Sequence, residues 1–109
     1  MMRPMRGKMR HLGVLRGSGI LSCDGVALGR ADFEIDGFST VPGEVVGSGE
    51  VRMAPADLDR ASGCANLVLT TDEGRILALR FSGGRRGAPQ GVAHADVTDG
   101  LPAADQWRR

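Results

Sequence analysis

Four side chains in the sequence are of the kinds that ligate metals or pair as nucleophile and base: His11, Cys23, Cys64 and His94. A tetrahedral Cys₂His₂ zinc site is normally announced by short C-x₂₋₄-C and H-x₃₋₅-H spacings. Here even His11 and Cys23 stand 12 residues apart, so the spacing itself assembles no metal site. A catalytic Cys–His pair fails on the same ground, because nothing forces either thiol toward either imidazole. Asp32, Glu34 and Asp36 form a second group. On an extended chain alternate residues lie about 6.7 Å apart on one face, a spacing at which carboxylates do acid–base work or hold Ca²⁺ or Mg²⁺. A general acid needs a desolvated pocket to raise its pKa. Here the alternation turns the carboxylates toward water, where they pair with cations such as Arg16. Neither catalytic residues nor a metal or cofactor site is assigned. An enzyme lacking a familiar motif would draw on Asp32 or His94.

The nucleotide-binding motifs are missing. Gly17-Ser18-Gly19 and Gly47-Ser48-Gly49 do not extend to G-x-G-x-x-G, because Ser22 and Arg52 fill the last position. The single lysine, Lys8, belongs to no phosphate-binding loop, and neither serine sits in a G-x-S-x-G elbow. Cations remain. Arg3, Arg6, Lys8, Arg10 and Arg16 crowd the first 16 residues with no acid among them, and Arg85-Arg86 lies in a glycine-rich stretch. Arg6, Arg10, Arg85 and Arg86 are the candidate anion-binding residues, since clustered cations bind phosphates by releasing counterions. Small barrels that bind single-stranded nucleic acid also need aromatic platforms. This chain has only three Phe, one Trp and no Tyr, and Phe33 and Phe81 are expected inside.

Arg6-x-x-x-Arg10 resembles the first motif of PilZ domains, six-stranded barrels that bind cyclic di-GMP. Their second motif, [DN]-x-S-x-x-G, is similar to Asp24-Gly25-Val26-Ala27-Leu28-Gly29, with Val26 in the place of the serine. The likeness covers under a quarter of the chain and lacks one ligand position, so no family is assigned from it.

The elements that must position these residues announce themselves by alternation. In Arg30-Ala31-Asp32-Phe33-Glu34-Ile35-Asp36 every even position is charged and every odd one apolar, the mark of a half-buried strand. Residues 44–53 repeat the pattern, with Val45, Val51 and Met53 facing opposite to Ser48, Glu50 and Arg52. Residues 65–82 read as a hairpin around Asp72-Glu73-Gly74, a three-residue loop in which Gly74 takes the left-handed position. Setting Thr71 opposite Arg75 places Leu69 against Leu77, Leu67 against Leu79 and Ala65 against Phe81. The same rule applied to Cys23-Asp24-Gly25 sets Ser22 against Val26, Leu15 against Phe33 and Arg16 against Asp32. Gly91 to Thr98 supplies a sixth strand with Ala93, Ala95 and Val97 inward. Pro55 to Ser62 gives one short helix, with Pro55 early and Gly63 past its end. Glycines 13, 17, 19, 47 and 49 inside strands point to sharp bending.

Composition sets the frame. Among 109 residues 41% are apolar, 25% are charged and the net charge is +1. These values exclude a disordered chain, and no apolar run approaches the ~18–20 residues of a membrane span. Glycine is enriched, at 17 residues. The expectation is an all-β, mainly antiparallel fold: a small six-stranded, strongly coiled barrel or half-barrel with at most one short helical turn. Residues 1–10 form a basic, disordered arm, 11–99 the barrel-like domain and 100–109 a loosely ordered tail. Trp107 in that tail is a candidate to dock on the body. The short apolar stretch after the basic start is not an export signal, and two cysteines suit a reducing compartment, so the protein is expected in the cytoplasm with Cys23 and Cys64 as thiols. Function is expected to be a non-catalytic binding or accessory role for a small ligand or a protein partner. The alternative is RNA or nucleotide binding through the basic arm and the Arg85-Arg86 loop. Homodimerisation through an open sheet edge is a further expectation, with the first and sixth strands as the edges if they do not pair to close the sheet.

Overall fold

A computed structural model describes residues 9–41, 44–82 and 91–107. Six strands, β1 (Arg10–Cys23), β2 (Val26–Val41), β3 (Glu44–Arg52), β4 (Leu67–Thr71), β5 (Ile76–Phe81) and β6 (Val92–Asp99), form a closed barrel. Their order around it is β1-β2-β3-β6-β5-β4, and every neighbouring pair is antiparallel. Closure runs through β1 and β4, not through β1 and β6, because β6 inserts between β3 and β5. One helix, α1 (Pro55–Ala61), joins β3 to the chain leading into β4. Among the described residues, no helix is long and apolar enough to cross a membrane.

The alternating pattern becomes a barrel interior. Leu21, Ile35, Val51, Leu69 and Leu77 are the largest fully buried side chains, joined by Ala31, Phe33, Leu67, Leu79, Ala95 and Val97. Burying each of the larger side chains contributes about 1.5–3 kcal/mol. In the β4–β5 hairpin Leu67 pairs with Leu79 and Leu69 with Leu77, as the loop Asp72-Glu73-Gly74 requires. Gly74 has φ of 96°, and its N–H donates to the Thr71 carbonyl at 2.8 Å. Ala65 does not extend the ladder to Phe81. It is exposed and β4 begins at Leu67, because the Asn66 carbonyl instead accepts the Asp24 N–H at 3.2 Å.

The β1–β2 hairpin turns on two residues rather than three. Asp24 (φ 51°) and Gly25 (φ 85°) are both left-handed, and Cys23 pairs with Val26. Two left-handed centres make the turn whose twist matches antiparallel strands, and Asp-Gly is a preferred sequence for it. A bulge at Leu28 then moves the register once more, so that Leu15 faces Ile35, Arg16 faces Glu34 and Gly17 faces Phe33. The total displacement from the sequence reading is two residues. Side chains alternate with period two, so the inward set survives the shift.

Two strand glycines mark where the backbones come closest. A Cβ on Gly19 would collide with the Thr70 carbonyl oxygen of β4, and one on Gly49 with the Glu34 carbonyl oxygen of β2. The first lies at the closing seam of the barrel.

At one end, α1 follows Pro55 at its first turn and inserts Leu58 and Ala61 into the core. Cys23 and Cys64 are joined there by a disulfide, with Cα atoms 6.0 Å apart. They are therefore not the free thiols expected from the sequence, in which 41 residues separate them. The β1–β2 turn and the segment after α1 bring them together, a proximity that only tertiary structure creates.

Candidate ligand cavity at the open end of the barrel

β1 has 14 residues, but β4 pairs only with Gly19–Cys23. Beyond that seam β1 continues with β2 on one side and, among the described residues, no strand on the other. The β4–β5 turn stands beside this unpaired stretch. The Asp72 N–H donates to the Ser18 carbonyl at 2.8 Å, and the Arg30 guanidinium grips both Asp72 carboxylate oxygens at 2.8 and 3.2 Å. Their mutual hydrogen bond holds the Asp72 carboxyl below its usual pKa and raises that of Arg30.

The residues after β6 complete the enclosure. Leu101 packs over Gly47, Pro102 is buried, and a 3₁₀ turn (Ala104–Gln106) brings Trp107 down on Gly37. The indole N–H donates to the Pro102 carbonyl at 3.1 Å, and the Gln106 side chain accepts the Ala103 N–H at 3.2 Å. Only glycine at 37 leaves room for the ring, since a Cβ there would overlap it. Between the β1 edge, the Thr71–Arg75 turn and this tail lies a cavity of about 680 Å³. Leu15, Phe33, Val14 and Trp107 give it apolar walls, and Arg16, Arg75, Asp72 and Glu73 give it balanced charge. The volume is in the range common for ligand pockets, and seven of the thirteen lining residues are polar or charged.

The carboxylates singled out in the sequence lie on the outer face, each with a partner. Ser18 donates to Asp32 at 2.6 Å, Arg16 to Glu34 at 3.0 Å, and the His11 ring nitrogen meets Asp36 at 3.0 Å. His94 is exposed on β6, opposite Glu50 of β3. Cys23 and Cys64 have Asp24 beside them, all three ligand atoms within 4.8 Å. The two sulfurs are bonded to each other, so neither is a thiolate ligand in this state. Of the candidate anion-binding residues, Arg10 is exposed at the start of β1. Arg6, Arg85 and Arg86 lie outside the described residues. Arg10, the described arginine of the PilZ-like first piece, stands at the opposite end of β1 from Asp24, a span of roughly 40 Å at the usual rise per residue.

Sequence reasoning missed the cavity, although a signal was present. Trp107 is the only tryptophan, and it follows an apolar Leu101-Pro102 pair. No protein-family model, curated protein or solved structure matches the chain.

Proposed function

We propose that this protein is a non-catalytic binding module that takes a small ligand or a segment of a protein partner in the cavity between β1, the Thr71–Arg75 turn and the C-terminal tail. One observation carries this reading: about 680 Å³ of space, walled in part by Phe33 and Trp107, at the end of the barrel opposite α1. A ligand there gains apolar contact with two aromatic rings and finds hydrogen-bonding groups at the rim. The test uses Trp107 itself, whose fluorescence is the chain's only indole signal. Native mass spectrometry of the purified protein, followed by a small-molecule and peptide screen read by Trp107 emission, should identify compounds that shift the emission and raise Tm together. A screen in which compounds raise Tm without moving Trp107 would place binding elsewhere and end this reading.

The cytoplasmic location expected from the sequence rests on the cysteine count and the N-terminal pattern. The Cys23–Cys64 bond weighs against it, since disulfides persist in oxidising compartments. Thiol titration of protein extracted under alkylating conditions decides between the two.

A further inference from the structure

The hydrogen-bonding direction of β1 beside the cavity is fixed by its neighbours. Ser18 accepts from Asp72 on the β4 side, so alternate residues of this strand present their N–H and C=O groups toward that side. The pairing with β2 is regular from Gly13 to Leu21. Val14 and Arg16 therefore have the same phase as Ser18, and their backbone groups point along the open edge. Leu15 and Gly17 point theirs at Ile35 and Phe33 of β2. Among the described residues, no backbone group outside the strand ladders bonds to Val14 or Arg16. An unpaired row of this kind is a template for another strand, and here it borders the Phe33–Trp107 cavity.

We propose that the occupant is an extended polypeptide segment of a partner protein, which adds as a strand to β1 at Val14–Arg16 and lodges a bulky apolar side chain against Phe33 and Trp107. This inference rests on the cavity being the binding site and specifies the class of ligand. Strand addition draws affinity from main-chain bonds and selectivity from pockets for alternate side chains. The edge supplies the first and the cavity the second. The charge around the cavity, Arg16 and Arg75 against Asp72 and Glu73, is balanced. It favours a segment without strong net charge, while Phe33 and Trp107 favour an apolar anchor.

A second copy of this chain fits less well. In an edge-to-edge dimer each β1 would bring its own Thr71–Arg75 turn and tail into the space the other needs. That confines pairing to the outermost residues of β1, whereas a stable dimer buries about 800 Å² per partner. A single strand enters without this clash.

The probe is a phage-displayed library of random peptides about twelve residues long, selected on the full chain and followed by synthetic versions titrated against Trp107 emission. Selected peptides should share one bulky apolar residue within an alternating pattern. N-methylation of alternate backbone amides should weaken binding about tenfold in one phase only, the effect of about one lost main-chain bond. On the protein side, Val14→Pro removes an N–H that is outside the β2 ladder, as edge strands tolerate. It should weaken the same peptides about tenfold with a nearly unchanged melting curve, and Trp107→Ala should weaken them at least as much. Hydrogen exchange on the unliganded protein gives a check independent of any variant: Val14 and Arg16 amides should exchange much faster than those of Leu15 and Gly17. Four results would overturn the inference. They are equal binding by every N-methylated peptide, slow exchange at Val14 and Arg16, a dimer that Val14→Pro disperses, and small molecules occupying the cavity while no peptide is enriched. The last would leave the cavity reading standing.

Discussion

At the end of the barrel that holds α1, the β1–β2 turn and the connection through α1 converge and are tied together, whereas at the opposite end β1 outruns β4 and the tail bridges a cavity. The first end is closed by Leu58 and Ala61 from the helix, by the Cys23–Cys64 disulfide and by Asn66 donating to Asp24 at 2.8 Å. The second is held by contacts of a different kind: the Trp107 ring on Gly37, Leu101 on Gly47, and the Arg30–Asp72 pair that fixes the turn. Covalent and core contacts resist opening more strongly than the few side-chain contacts of residues 101–107 do. Stability is therefore concentrated at one end and adaptability at the other, an arrangement suited to a rigid scaffold with one mobile wall.

The largest effect should follow from untying the closed end. In the chain-entropy view, a disulfide spanning 41 residues constrains the unfolded chain by about 4 kcal/mol. Cys64→Ser, or full reduction, should lower urea-unfolding stability by about that amount and leave Trp107 emission in the folded state unchanged. A shifted emission spectrum in folded, reduced protein would show that the two ends are coupled, and the contrast drawn here would fail.

Next in size are two glycine substitutions that probe the same contrast at the two kinds of contact. Gly49→Ala sets a methyl group against the Glu34 carbonyl, which belongs to the β2 ladder and has no freedom to move. Overpacking of this kind should cost about 1–3 kcal/mol in urea unfolding. Gly37→Ala sets a methyl group against the Trp107 indole, which can swing away with the tail. It should cost less in stability and shift Trp107 emission to the red as the ring enters water. If Gly37→Ala costs as much as Gly49→Ala, the tail is as rigid as the sheet.

How much of this was legible in the sequence depended on how far apart the interacting residues lie. Leu67, Leu69, Leu77 and Leu79 specified their own pairing because a fifteen-residue stretch, 67–81, contains both strands and the turn. The β1–β2 register was misplaced by two residues, since the Asp24-Gly25 turn excludes Cys23 and the bulge at Leu28 leaves no mark in the alternation. Both differences are small and local, so the alternation still places Phe33 and Ile35 inward. The closing seam of Gly19–Cys23 with β4 and the cysteine pairing join residues about 40 or more positions apart, where no periodicity reaches. The cavity was illegible for the same reason: its walls come from residues 14–18, 33, 71–75 and 102–107. Of the four candidate anion-binding arginines only Arg10 lies among the described residues, and it stands outside the cavity lining, whereas Arg16 from the same basic stretch lines it.

The smallest expected effect concerns the wall beside the β1 edge, and its sign follows from the ion pair there. Asp72 is ionised more readily in the folded protein than in the unfolded chain, because Arg30 donates to its carboxylate. A carboxyl with a lowered folded pKa contributes stability that is complete above its unfolded pKa and disappears as pH falls through the folded value. The pair is exposed, so solvent screens it and the contribution is slight. Asp72→Asn should therefore be marginally less stable than the parent at neutral pH. The two melting temperatures should converge as pH drops below the usual carboxylate range, and added salt should narrow the gap at pH 7. The substitution keeps the Asp72 N–H that donates to Ser18, so the β4–β5 turn stays beside the edge and peptide affinity should change little. A large loss of peptide affinity at neutral pH, restored by neither salt nor acid, would mean that the carboxylate itself contacts the incoming strand.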